Sequence, residues 1–430
     1  MPWLRWRGAD FKHWWQAWRF TKLATLVEEG VAMAAISPMH GKPRAGECAI
    51  HGRRHARRLL AFAIIVISTC GTVHAASSDV RQSFDIQVPW VPQAASLGGR
   101  TELVYELQLA NFSDDTLDLE SVDALDGATG ASLGHLDGKA LDAAIGRVGS
   151  TPAKRSVAPG GHATIFLSLP APAPGVVLAH RIEYAVAGTT QHFPVEGGRF
   201  TPRPANPVAL GPPLRGGPWV AIYDASWERG HRRVLYAVDG RLHLPGRFAI
   251  DWIKVDANGA HASDNGSKPA NWFGYGADVL AVADATVAAT RDGVAEPSVV
   301  APGPSRVPIG DATGNYVSLN LGDGRFVFFE HLKPGSVLVH PGQHVRRGDV
   351  IGKLGFTGQS TGPHLHMHVA DANAPLAAEG LPYAMGGFRV DGTFPSIEVF
   401  GAGQAWTHHT ASPRAPGMPG PLDVVTFTSR

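Results

Sequence analysis

Apolar and polar residues alternate in short runs along the segment from about residue 79 to residue 200. The clearest runs occupy residues 84–88, 102–109, 163–169 and 182–186, with Gly, Asp and Pro between them. Successive side chains of a β-strand point to opposite faces, so alternation with a period of two predicts strands with one buried face. Residues 79–200 are therefore predicted to form an antiparallel, Ig-like β-sandwich.

A second β-rich stretch follows a segment rich in proline. Residues 201–217, TPRPANPVALGPPLRGG, predict a stiff, extended linker. From residue 218, strand patterns recur as far as Val369, and the turn pairs Asp239-Gly240 and Pro245-Gly246 predict hairpins. A second domain is expected over residues 218–400, followed by a flexible C-terminal tail at 401–430.

Composition supports an all-β chain of more than one domain. The 430 residues suffice for two or three domains, each with its own core. They include 51 Gly and 33 Pro, and only 17% are charged, which favours short strands and turns over long helices. The predicted fold class is all-β, a sandwich followed by a second antiparallel β-domain.

The N-terminal region has the pattern of an export signal. An Arg-rich segment, residues 53–58, precedes the apolar residues 59–67 and a small-residue site at Ala75. This apolar run is shorter than the roughly 20 residues that span a bilayer, so residues 39–76 predict a cleaved signal peptide. A retained anchor and a weak lipidation motif ending at Cys70 are the alternatives. Residues 1–38 are an uncertain leader, because the chain is expected to start either at Met1 or at Met33 or Met39.

Cysteines and charges limit the chemistry of the exported chain. Cys48 and Cys70 both precede the expected cleavage, which leaves no thiol for a disulfide or a metal. Residues 1–58 hold eleven of the 38 basic residues but four of the 37 acidic ones. The remaining chain is mildly acidic, which disfavours nucleic acid as a partner. No stable membrane span is expected in the mature chain, whose predicted location is the periplasm or cell envelope.

Three histidines alternate in the sequence TGPHLHMHV. His364, His366 and His368 would share one face of a strand. Imidazole is both a common metal ligand and a proton acceptor near neutral pH. The segment therefore predicts half of a metal site, and a solvated, His-rich edge strand is the alternative.

Several separate blocks around this segment together resemble Peptidase family M23, the lysostaphin-like metallopeptidases. They are GDATGNYVSL at 310–319, FVFFEHLKPGS at 326–336, VRRGDVIGKLG at 345–355 and the PHLH block itself. The resemblance covers about residues 275–370, with a looser extension back to Pro218. It implies an M23-like antiparallel β-domain, a Zn²⁺ cofactor and endopeptidase activity on peptide crosslinks or stem peptides of peptidoglycan.

The resemblance also assigns roles to individual residues. His366 and Asp251 would bind the metal, while His331 and His364 would act on the attacking water. Arg247 stands where the family has its first histidine ligand, and a guanidinium cannot bind a cation. His231 and His243 are the candidate replacements.

A choice between these two histidines rests on the expected hairpin and on the resemblance. A two-residue turn at Pro245-Gly246 would face His243 away from Asp251. His231 is favoured because HRR at 231–233 followed by RFAIDW at 247–252 resembles a divergent exported branch of the family. Arg247 would then be free to bind a substrate carboxylate.

The sequence also gives expectations for two residues near the histidines and for an alternative function. His368 would either orient a ligand or be exposed, and Glu330 would be a solvated strand residue. The loss of the ligand at Arg247 raises the alternative of a catalytically degenerate module that binds cell wall or activates another hydrolase.

Overall fold

The computed structural model describes residues 80–146, 155–224, 227, 230–301, 303, 307–413 and 415–428. The predicted leader and signal peptide lie outside these ranges. Within them the chain is built mainly from antiparallel β-sheets, which confirms the predicted all-β class. No helix among the described residues is long and apolar enough to cross a membrane.

Two five-stranded sheets form the N-terminal part of the described chain. One has the order β1-β3-β8-β6 with β2 beside β3, and the other has the order β10-β9-β4-β5 with β7 beside β4. Both contribute side chains to one core that includes Leu107, Leu119 and Ile182. The Ig-like assignment of this sandwich stays a prediction. The elements are β1 (Phe84–Gln87), β2 (Ala95–Leu97), β3 (Arg100–Asn111), β4 (Leu117–Asp126), β5 (Ser132–Asp137), α1 (Gly138–Ala144), β6 (Ile145–Gly146), β7 (Ser156–Val157), β8 (His162–Pro170), β9 (Leu178–Val186) and β10 (His192–Phe200).

An eleven-stranded sheet dominates the rest of the described chain. Its order is β20-β17-β18-β19-β22-β15-β12-β27-β25-β26, with β23 beside β22. The elements are β11 (Val208–Leu210), β12 (Gly216–Ile222), β13 (Tyr236–Val238), β14 (Arg241–His243), β15 (Ile250–Lys254), β16 (Asp278–Leu280), β17 (Ala285–Arg291), β18 (Asn315–Asn320), β19 (Phe326–Leu332), β20 (His344–Val345), β21 (Val350–Lys353), β22 (Leu365–Ala370), β23 (Gly380–Leu381), β24 (Tyr383–Met385), β25 (Phe388–Thr393), α2 (Ile397–Gly401), β26 (Thr407–Pro413) and β27 (Asp423–Phe427).

Two segments that the sequence predicted to be unpacked are part of the fold. In the predicted linker, β11 pairs in parallel with β24, and Leu210 is buried. In the predicted flexible tail, β27 pairs with both β12 and β25. Both predictions were wrong because each segment buries apolar side chains against strands that lie far away in sequence.

The sandwich and the large sheet share a core. Ala95, Leu97 and Val104 of the sandwich belong to the hydrophobic cluster under the large sheet. The backbone amide of Gly98 also donates to the carbonyl of Met418, at 3.0 Å. Residues Gln82–Arg430 accordingly belong to one compact unit. The boundaries 79–200 and 218–400 remain sequence-based predictions.

One of the two predicted hairpin turns is present. Asp239 and Gly240 connect β13 to β14, and both have positive φ, 51° and 75°, as a tight type I′ turn requires. The Pro245-Gly246 hairpin was wrong, because Pro245–Phe248 forms a 3₁₀ turn instead. The parity argument against His243 therefore fails, since His243 lies opposite Tyr236.

Candidate active site

Asp251 and His366 lie directly opposite each other on neighbouring strands. They are cross-strand partners on β15 and β22, and His366 Nδ1 lies 2.8 Å from Asp251 Oδ1. The alternate residues Ile250, Trp252 and Met367 are fully buried on the other face of the sheet. Period-two alternation thus places the carboxylate and the imidazole on one face.

His231 reaches the same carboxylate from a different element. It begins the 3₁₀ turn His231–Arg233, and its Nε2 lies 2.7 Å from Asp251 Oδ2. One potential ligand atom from each of His231, Asp251 and His366 lies within 4.8 Å of the others. Two imidazole nitrogens and one carboxylate oxygen form a donor set typical of catalytic zinc, so these residues fit the metal that the family resemblance implies.

The electrostatics of this cluster keep the carboxylate charged. Burial alone would raise the pKa of Asp251, but the nearby His231 and His364 hold it well below its ordinary value. Burial, reinforced by the neighbouring His231, lowers the pKa of His366 to about 4. A charged carboxylate beside a neutral imidazole is the protonation state in which both groups bind metal.

His331 and His364 form the opposite side of the site. Their ring centroids are 4.8 Å apart. In each ring, Nδ1 faces a backbone carbonyl: that of Thr357 at 2.8 Å from His331, and that of Gly362 at 2.7 Å from His364. Donation from Nδ1–H leaves Nε2 as a proton acceptor in the neutral form of both rings.

The two imidazoles differ in their affinity for a proton. Burial holds the pKa of His331 well below its ordinary value, and its backbone adopts a left-handed φ of 63°. Such a conformation is strained in a residue other than glycine and is often found at functional sites. Burial also opposes protonation of His364, but Asp251, whose Oδ1 lies 3.3 Å from Nε2, raises its pKa overall.

Behind His366 lies a second pair of ionisable side chains. His366 Nε2 is 3.2 Å from His368 Nδ1, and His368 stacks on Phe328. Glu330 is only 5% exposed, so the expectation of a solvated residue was wrong. Burial, with a contribution from the charge of Asp251, raises the pKa of Glu330 to about 8. His368 and Glu330 thus bury one side of His366, and His368 contacts the ring nitrogen that faces away from Asp251.

An apolar cleft opens beside the histidines, and sequence reasoning did not find it. His231, Asp251, His331 and His364 line it together with Gln359, Ser360 and Thr361. Its apolar wall comes from residues of several elements, namely Ile222, Tyr223, Trp227, Ile253, Ile397 and Phe400. These residues meet only through the tertiary fold, and no local motif connects them.

Neither Arg247 nor His243 belongs to the candidate ligand set of His231, Asp251 and His366. The Arg247 side chain is 2% exposed and lies between Glu106 and Glu379 at 2.9 and 2.8 Å. Its expected role in binding a substrate carboxylate is therefore wrong, because its charge is already matched within the protein. His243 lies 3.6 Å from Glu379 and takes part in none of the metal-ligand groups among the described residues.

Comparison with known proteins places part of this region in a family. Over 65 residues the chain is 42% identical to the peptidoglycan DD-endopeptidase ShyA of Vibrio cholerae, an alignment that spans 15% of either chain. Among solved structures, the catalytic domain of lysostaphin from Staphylococcus simulans is 18% identical, over 39% of this chain and 88% of that one, with a TM-score of 0.21. A zinc-containing peptidase from Vibrio cholerae is 13% identical, over 69% of this chain and 85% of that one, with a TM-score of 0.22. Residues 273–378 match Peptidase family M23, and the chain therefore carries a domain of that family.

Proposed function

We propose that this chain is an exported zinc metalloendopeptidase that hydrolyses peptide bonds of peptidoglycan, in its crosslinks or stem peptides. The observation that carries the proposal is the position of His231. It supplies an imidazole nitrogen 2.7 Å from Asp251, where Arg247 cannot serve as a ligand. The set His231, Asp251 and His366 then has the three protein ligands that catalytic zinc commonly uses.

The metal and the side chains around the three proposed ligands would have separate roles in hydrolysis. A bound Zn²⁺ would supply Lewis acidity, which polarises a scissile carbonyl and makes a water molecule more acidic. Burial keeps the pKa of His331 low, so its Nε2 can accept the proton of the attacking water, whereas Asp251 raises the pKa of His364 and favours a protonated ring there. The same proton can then pass to the leaving amine, and the protonated ring can stabilise negative charge on the carbonyl oxygen.

The substrate class rests on the family and on a relative. The relative that shares 42% identity over 65 residues is named a peptidoglycan DD-endopeptidase. The predicted signal peptide supports delivery to the envelope, where that substrate occurs. N-terminal sequencing of the protein from the envelope fraction should find a chain that begins at Ala76, and a cytosolic chain retaining residues 53–67 would contradict export.

The alternative of a degenerate, non-cleaving module loses its main support. It rested on the absence of a ligand at Arg247, and His231 now offers a replacement on the same carboxylate. The presence of His331 and His364 beside the cleft also favours catalysis, because binding of cell wall needs no pair of imidazoles with different proton affinities.

Zinc content and cleavage of purified peptidoglycan together test the proposal. The mature chain should bind about one Zn²⁺, and both His366→Ala and His231→Ala should lose zinc and activity together. His331→Ala should keep zinc and lose activity, because its ring nitrogen is assigned to the proton and not to the metal. His344→Ala, at an exposed position of β20, is the control and should retain both.

A wild-type chain that retains no zinc after dialysis would overturn the proposal. Full zinc content in His231→Ala would refute this ligand while leaving the family's other residues in place.

A further inference from the structure

Two side chains of the turn that carries His231 are anchored in the N-terminal sandwich. The next residue, Arg232, is 2% exposed, and its guanidinium contacts three sandwich groups. Nε donates to Glu106 at 3.1 Å, and Nη2 donates to the carbonyls of Tyr105 and Leu167 at 2.6 and 2.7 Å. Arg232 is thereby fixed to β3 and β8, which are neighbouring strands of one sheet.

Arg233 attaches the same turn to a second part of the sandwich. Its Nη1 and Nη2 donate to the carbonyls of Ala144 and Ala143, each at 3.0 Å, where α1 ends. Its guanidinium also lies 4.1 Å from the ring centroid of Phe166. The turn has only three residues, and two consecutive side chains are anchored in the sandwich, so its backbone has little conformational freedom.

Glu106 connects this turn to the one that carries Arg247. Its two carboxylate oxygens accept from Arg232 Nε at 3.1 Å and from Arg247 Nε at 3.0 Å. Burial would raise the pKa of Glu106, but the two guanidiniums hold it below its ordinary value, so the carboxylate is charged. Arg247 is in turn bound to Glu379, which makes a buried, alternating network of charges.

We propose that the N-terminal sandwich is a positioning element of the metal site, with Glu106 as its central positioning residue. This inference rests on the proposed role of His231 as a metal ligand. On this proposal, the position of the ligand His231 depends on the presence of an arginine at position 247. Arg247 forms an ion pair with Glu106, and Glu106 forms an ion pair with Arg232. Arg232 in turn holds the neighbouring His231 in contact with Asp251.

Two measurements on the full mature chain test this positioning role. Glu106→Gln keeps the size of the side chain and removes its charge, and it should weaken zinc binding about 10- to 100-fold, as loss of a group that orients a ligand typically does. Arg233→Gln should act in the same direction and covers the case in which Glu106→Gln fails to fold. Zinc affinity is measured by competition with a chromogenic chelator.

The second measurement needs no metal. The amides of Arg233 and Val234 close the turn by donating to the carbonyls of Gly230 and His231. In the metal-free chain, hydrogen exchange of a peptide containing residues 230–234 should become faster in Glu106→Gln and Arg233→Gln. A role in overall stability alone would speed exchange throughout the sandwich instead.

Two control variants separate positioning from a general effect of mutation. Glu196→Gln removes an exposed carboxylate that pairs with Arg181 in the same domain. Val122→Ala weakens the sandwich core, where Val122 is fully buried. Both should keep the zinc affinity of the wild type.

Each outcome decides the inference. Unchanged zinc affinity in folded Glu106→Gln and Arg233→Gln, or an equal loss in Val122→Ala, overturns the positioning role while the proposed function stands. A wild-type chain that binds no zinc overturns the proposed function, and the positioning role with it.

Discussion

At the scale of single residues, a sequence motif identifies a candidate ligand only when residues close to it in the chain determine where its side chain lies. His364 and His366 could be predicted because alternation along one strand places both on one face. His331 and Asp251 were found by resemblance, and each lies on a strand that pairs with β22. His231 carried only a weak signal, because its approach to Asp251 depends on contacts with the sandwich more than 60 residues away.

The close approach of the two 3₁₀ turns at Gly246 offers a test of how tightly His231 is positioned. A Cβ at Gly246 would lie 2.8 Å from both the Cβ and the backbone oxygen of His231. These atoms are too close to coexist, so Gly246→Ala should displace His231 and lower zinc affinity about 10-fold. Isothermal titration with Zn²⁺ measures the change.

Gly293→Ala is the matched control for this substitution. A Cβ at Gly293 meets no heavy atom within 4 Å, so its zinc affinity should equal that of the wild type. Equal affinities in all three proteins would show that the contact between the turns relaxes without moving His231.

At the scale of elements, strands with regular alternation were predictable, and strands defined by distant partners were not. Residues 102–109 and 163–169 lie within β3 and β8, as their period of two indicated. β27 has three consecutive buried residues at its start and follows a segment rich in Gly and Pro. Its neighbour β12 lies about 200 residues earlier in the chain, and no local pattern reports such a pairing.

The position of β27 inside the large sheet predicts that the C-terminal region is needed for folding. Val424 is fully buried, so Val424→Asp would place a carboxylate in an apolar core at a cost of about 4 kcal/mol or more. Thermal unfolding should show a large loss of stability. Thr407→Asp, at an exposed position of β26, should leave the transition nearly unchanged, and equal stability of the two variants would support the original picture of a flexible tail.

At the scale of the whole molecule, the proposed metal site draws on both halves of the described chain. The family match covers residues 273–378, which include His331, His364 and His366 but neither Asp251 nor His231. The two other proposed ligands, Asp251 and His231, lie on β15 and on a turn anchored in the sandwich. Sequence reasoning treated the sandwich as a separate domain, because a salt bridge such as Glu106 to Arg247 spans 141 residues and has no periodic signature.

A buried histidine of the sandwich allows a test of whether the two halves unfold together. His180 is fully buried, its Nε2 lies 2.8 Å from the Tyr105 hydroxyl, and burial lowers its pKa to about 4. The unfolded chain, with an ordinary histidine pKa near 6.5, binds this proton more readily than the folded chain does. The stability that His180 contributes is therefore complete above pH 6.5 and is lost as the pH falls towards 4.

The expected size of this loss is about 1.4 kcal/mol per pH unit between these limits. A plot of the free energy of unfolding against pH should therefore have a smaller slope between pH 4 and 6.5 in His180→Gln. In His344→Gln, at an exposed site, the slope should equal that of the wild type.

Besides Trp219 and Trp252, the chain beyond residue 76 has four further tryptophans, Trp90, Trp227, Trp272 and Trp406, so the measurement uses a background in which these four are replaced by Phe. There the fluorescence of Trp219 and Trp252, both buried under the large sheet, gives the free energy of unfolding at each pH. These tryptophans share a core with sandwich residues, so the large sheet and the sandwich should unfold together. The pH dependence of the free energy of unfolding, measured at these tryptophans, should therefore be weaker in His180→Gln than in the wild type. A slope identical to that of the wild type would mean that the large sheet unfolds independently of the sandwich.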